Sequence, residues 1–220
     1  MFNTNFKSKK RVCGYSGFFM LELIVAIFLF SIVMVVSMNA LIIALDSNSK
    51  VQSFKSVLNN LNIAIETMTK TLAVGMVYHC DPGSTPSLTV PNDCSVTNGG
   101  GDSISFVYNA NLGGNPSARD IIVYKFETDT YGKGYISRTL HLDDGTIVGP
   151  GRMTAPEVNI DVGTSRFYVT GSDLGYGNGG TDTDQPKVLI VVHGEALSGP
   201  RLDPSKFTVQ TLVTERIPDF

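Results

Sequence analysis

The sequence predicts an α+β fold in which one long N-terminal helix, apolar in its first half and amphipathic in its second, packs on an antiparallel β-sheet head. Three observations carry this. Residues 23–45 contain no charged side chain, a run long enough to cross a bilayer as a helix. Apolar residues then recur at alternating steps of three and four up to Leu72, the period of one helix face. Beyond Cys94 the texture changes to short β-type runs broken by glycine and proline.

The elements follow in chain order. Residues 1–17 form a leader that carries Lys7, Lys9, Lys10 and Arg11 and no acid, and that ends on Gly17. An aromatic and apolar step, Phe18-Phe19-Met20-Leu21, leads to Glu22, the only charge between Arg11 and Asp46. A carboxylate at the head of an apolar bilayer segment is costly and calls for a partner. The plain alternative is a helix N-terminus near the membrane surface, where an acid is tolerated and reaches the headgroups. A removable secretory signal has an apolar region of about 7 to 15 residues followed by a small-residue cleavage site. Here the apolar run is longer and has no such site, so the helix is expected to stay in the mature protein.

Basic leader, Gly17, aromatic, apolar step and Glu22 together resemble the class III signal of type IV prepilins and type II secretion pseudopilins. The resemblance is strongest over residues 1–45 and implies four things. A prepilin peptidase cuts between Gly17 and Phe18 and methylates the new Phe18 amine. Glu22 is the assembly glutamate and pairs with the Phe18 amine of a neighbour. The partners are other pilin-like subunits and the assembly platform and ATPase. The subunit waits in the cytoplasmic (inner) membrane as a single-pass protein with its head extracytoplasmic, then enters a pilus or pseudopilus. A permanent signal anchor, its basic patch held cytoplasmic by the positive-inside tendency, is the main competitor.

Residues 18–45 are the transmembrane and assembly half of the helix, and 46–75 the amphipathic half. Val51, Phe54, Leu58, Leu61, Ile65, Met68 and Leu72 form its apolar stripe. Neither proline nor glycine interrupts residues 18–74, and Gly75 is a natural stop. Such a helix would be on the order of 85 Å long at the α-helical rise. Few opposed charges flank the stripe, which disfavours a coiled coil and favours packing on the chain's own sheet.

The head, residues 76–220, is long enough for one domain with a real core. In it Cys80 and Cys94 form an even pair, Cys13 lying in the leader. In an extracytoplasmic segment the pair reads as a disulfide, worth about 3 kcal/mol for a loop of about 15 residues. Zinc with His79 is the rival, although the close paired spacing of a structural site is missing. Strands are expected at 103–108, 120–127, 134–142, 166–170, 187–196 and 206–217, with a further one at 156–162, as an antiparallel meander covering the helix. Ile121, Val123, Lys125 and Glu127 alternate with Ile122, Tyr124 and Phe126, so one face of that strand is expected to be largely buried and to become more polar towards its end, and the run Val188 to Val192 marks a central strand. The amphipathic helix, the Cys80 loop and the closing strand resemble J-type minor pseudopilins and minor pilins, which associate in a tip complex that primes the fibre. Many major pilins have a proline in the membrane half of the helix; here Asn39 lies in that region.

Composition narrows the function further. Removing the leader's four cations from 17 basic residues leaves 13 against 20 acidic ones, a formal charge of −7. That balance argues against nucleic-acid binding. No nucleophile elbow, phosphate loop or HExxH spacing occurs, so no enzyme is expected. His193 and Glu195 share a strand face, for which a surface role outweighs metal binding. Asp173, Asp182 and Asp184 in a glycine-rich stretch are weak calcium candidates, and the same composition describes ordinary turns. No cofactor is otherwise expected. The alternative function is a permanently anchored extracytoplasmic adhesin or binding module.

Overall fold

The computed structural model describes residues 16–81, 91–108, 120–172, 185–196 and 204–216. Its first element is α1, Ser16–Leu72, 57 residues long. The chain divides into two units, Met1–Asn48 and Ser49–Phe220. In the first, every described side chain is exposed.

In the second unit the closing part of α1 buries Val57, Leu61, Ala64, Ile65, Met68 and Leu72. Val51, expected in the stripe, is 59% exposed, while Phe54 and Leu58 are only partly covered. The buried face is therefore displaced towards Val57 and Ala64. A sheet presents a broader surface than a single partner helix, so it takes in the adjacent row of positions as well.

The helix ends two residues short of the expected Val74, and Gly75 begins a strand instead of stopping the helix. Tyr78 directs its hydroxyl at the carbonyls of Leu72 (2.5 Å) and Gly75 (2.9 Å), and the first of these is an acceptor that the helix end leaves open. A Cβ on Gly75 would come within 2.4 Å of the Phe106 ring. Close approach to the core thus requires glycine there.

Five strands make the first sheet, an antiparallel meander in chain order: β1 Gly75–Cys80, β2 Ser103–Tyr108, β3 Asp120–Thr128, β4 Gly134–His141 and β5 Ile147–Arg152. Its helix-facing side carries the aromatic run Tyr78, Phe106 and Tyr124, with successive ring centroids 6.0 and 5.8 Å apart. The two outer strands, β1 and β5, were not expected. β1 is short and contains a register irregularity and a positive φ at Val77. β5 reads as a turn because Gly149, Pro150 and Gly151 fall inside it. Both lie at sheet edges, where proline and bulges are tolerated.

The remaining strands depart from a single meander and form a second sheet: β6 Val158–Ile160, β7 Arg166–Thr170, β8 Lys187–Ala196 and β9 Ser205–Thr214. β8 is central, with β9 along one edge and β7 and β6 sharing the other. The chain leaves the first sheet after β5 because Met153 donates to the Ile136 carbonyl (2.8 Å) and Ala155 to the Asn60 side chain (2.7 Å). These bonds carry it across to the second sheet. There Gly134 lets β4 touch β6: a Cβ at that position would meet the Ile160 carbonyl at 1.9 Å.

Candidate functional site

α1 carries Gly17, Phe18 and Glu22 on one helix. Gly17 and Phe18 lie in its first turn and Glu22 about one turn later; most of the basic leader lies outside the described residues. Ser31 donates its hydroxyl to the Ile27 carbonyl (2.8 Å), so that polar group is satisfied within the helix. Phe19, Ile24 and Val33 are each more than 60% exposed, and the apolar stretch is exposed on every side. An uncovered apolar surface of that extent marks a membrane or protein contact. The helix is long and apolar enough to cross a membrane. Among the described residues no ion pair involves Glu22.

The cysteines mark a second locus. Cys80 and Cys94 form a disulfide with Cα atoms 5.8 Å apart, and both are buried. Cys80 ends β1, and Cys94 exchanges backbone hydrogen bonds with Val169 of β7 at 3.1 Å each way. The bond therefore ties the first sheet to the second. A few residues along, Gly101 and Phe167 exchange a second such pair at 2.8 Å. Asn92 locks the loop by accepting from the Cys80 amide (3.0 Å) and donating its side-chain amide to the Cys80 carbonyl (3.1 Å). With both sulfurs in one bond, the zinc reading at His79 loses its thiolate ligands.

His193 and Glu195 do share the outer face of β8, at the rim of an open pocket of about 720 Å³. Three of the polar side chains there are engaged. His193 Nδ1 lies 3.0 Å from the Thr208 hydroxyl, Glu195 pairs with Lys206 at 3.7 Å, and Asn159 accepts from the Gly134 amide at 2.9 Å. Among the described residues no cluster of three or more His, Cys, Asp or Glu is placed to hold a metal. Asp173, Asp182 and Asp184 lie outside the described residues.

A smaller groove of about 340 Å³ runs between β4 and β5, lined by Arg138, Leu140, Val148, Gly149, Gly151, Arg152 and Met153. Arg138 pairs with Tyr124 across the β3–β4 ladder and so shares the core-facing side with Ile136. Tyr124 is fully buried, and that burial raises its phenol above the usual range; the bond to Thr71 and the charge of Arg138 act in the opposite sense. Sequence reasoning passed over this groove. Its signal was a cation in the buried phase of Ile136-x-Arg138-x-Leu140.

No family model matches the chain, and neither a curated protein nor a solved structure does. The geometry itself therefore carries the functional reading.

Proposed function

We propose that this chain is a structural pilin-like subunit, a minor pilin or pseudopilin, cut between Gly17 and Phe18 and assembled through its N-terminal helix. One observation carries the reading. A glycine, an aromatic and a single glutamate stand at the head of a continuous helix whose first half is apolar and exposed on all sides.

In this reading the uncovered half of α1 is stored in the cytoplasmic membrane with the head extracytoplasmic. It later exchanges lipid for the helices of neighbouring subunits in a type IV pilus or type II secretion pseudopilus. Cleavage creates a cation at the Phe18 amine. A neighbour's Glu22 is then the matching anion, and pairing the two removes the cost of an isolated carboxylate in an apolar layer. Phe19, Met20, Leu23 and Val25 supply apolar contacts around that pair. The disulfide-tied, two-sheet head suits an exported subunit, and its J-like features suit a place in a tip or priming complex. Prepilin peptidase, an assembly ATPase and a platform protein are the partners this requires.

The competing reading is a permanently anchored adhesin or binding module, favoured by the same apolar helix taken without the cut. Mass analysis of the N-terminus of protein recovered from membranes decides between them. We expect it to begin at methylated Phe18; an intact Met1 in cells that possess the peptidase would overturn the subunit reading.

A further inference from the structure

We propose that the groove at Arg138 binds a monocarboxylate carried on a short apolar stem. Arg138 projects from the core-facing side of β4, opposite Tyr124 on one neighbour and Gly151 on the other. Its Nε is buried and has no hydrogen-bond partner, and no ion pair among the described residues includes it. A desolvated guanidinium N–H without an acceptor is costly, and more so for a charged group than for a neutral one.

The neighbouring groups do not relieve it. The Tyr124 hydroxyl is engaged with Thr71 at 2.8 Å. Arg152, the other cation of the groove, is already committed. Its Nε donates to the Thr154 carbonyl (2.8 Å), its Nη1 pairs with Asp129 (3.3 Å), and its guanidinium lies 4.8 Å from the centroid of the Tyr135 ring. A single available cation matches a single negative charge. The planar guanidinium fork matches the two oxygens of a carboxylate in shape.

The walls specify the rest of the ligand. Leu140, Val148 and Met153 supply apolar surface beside the guanidinium. The β5 rim is open because Gly151, opposite Arg138, has no side chain. Gly149 has φ +115°, and a Cβ there would meet the Arg138 carbonyl at 2.8 Å. A groove of about 340 Å³ lies at the small end of ligand pockets, which suits a short acid over a large one. This inference is independent of the N-terminal reading.

The test is calorimetric titration of the full chain in a non-ionic maltoside detergent with hexanoate, which is too short to form micelles. Acetate and hexanol are the probes for charge alone and stem alone. We expect saturable hexanoate binding, with both controls about tenfold or more weaker, and a comparable loss in Arg138→Met. Arg138→Met without ligand should melt at or above the wild-type temperature, because the buried unpaired donor is gone. Arg138→Lys, which keeps a charge without the fork, should bind hexanoate more weakly than wild type; it serves as the test if the methionine variant does not fold. Hexanol binding as tightly as hexanoate, hexanoate binding undiminished in either variant, or no hexanoate binding to wild type would each overturn the proposal. A lower melting temperature for Arg138→Met together with no hexanoate effect on wild type would assign Arg138 to structure alone.

Discussion

The hydroxyls of Thr71 and Tyr124 lie 2.8 Å apart, linking the last turn of α1 to the middle of β3. Tyr124 is fully buried, and Thr71 is also within 3.0 Å of the Thr67 and Met68 carbonyls. A helix packed on a sheet through apolar contacts alone is free to slide by small steps; one buried polar link fixes its axial position.

Tyr124→Phe removes that link, and we expect a loss of about 1–2 kcal/mol in denaturant unfolding. The pH dependence has a definite sign. Burial raises the phenol in the folded state, so the folded protein holds the proton more tightly than the unfolded chain. That contribution is fully present below the unfolded pKa of about 10 and is lost as the pH rises through the folded value. Wild type should therefore lose more stability than Tyr124→Phe in the alkaline range; identical alkaline profiles would refute this.

The displaced helix face predicts unequal effects for two positions that the sequence stripe treats alike. Leu61 is fully buried and Val51 is 59% exposed. Leu61→Ala should cost about 2–5 kcal/mol, whereas Val51→Ala should change stability by no more than about 0.5 kcal/mol. Urea midpoints of the two variants measure this directly, and equal losses would return the buried face to the line of Val51.

Reduction of the Cys80–Cys94 bond should lower stability by about 3 kcal/mol, the chain-entropy value for a loop of this size. Because the bond joins β1 to the Cys94 segment on β7, the amides of Cys94 and Val169 should lose hydrogen-exchange protection before those of β3 and β4. Unchanged protection at Cys94 and Val169 after reduction would show that the backbone pairs hold the sheets together without the sulfurs.

Glu22→Gln keeps the shape of the side chain and removes its charge. On the subunit reading, processing between Gly17 and Phe18 continues, while incorporation into fibres falls roughly tenfold or more, the scale for loss of one partner of a desolvated charge pair. Quantitative immunoblotting of sheared fibres against the membrane fraction measures both effects. Normal incorporation would remove the pairing role from Glu22.

Strands with a clear apolar alternation or run were legible in advance. β2, β7 and β8 occupy the anticipated residues, and β3 has one buried face, as its alternation indicates, which the structure assigns to Ile122, Tyr124 and Phe126. β1 and β5 were not legible, because neither carries a periodic signal of its own. Each is held as a strand by one neighbour, Gly75 against Phe106 in one case and the β4 ladder around Pro150 in the other. The groove at Arg138 was hidden for a similar reason: a cation in a buried phase looks like a pattern error until the ladder shows what stands opposite it.

The sequence by itself determined the long apolar helix, its lone Glu22 and the glycine and aromatic step before it, because these depend on residue order along a single element. It also determined the main strands, whose two-residue period is local. Only the tertiary structure decided that the head has two sheets, that Cys80 and Cys94 span them, and which row of α1 is buried. Those features depend on contacts between residues far apart in the chain, where the partner, and not the local pattern, selects the outcome.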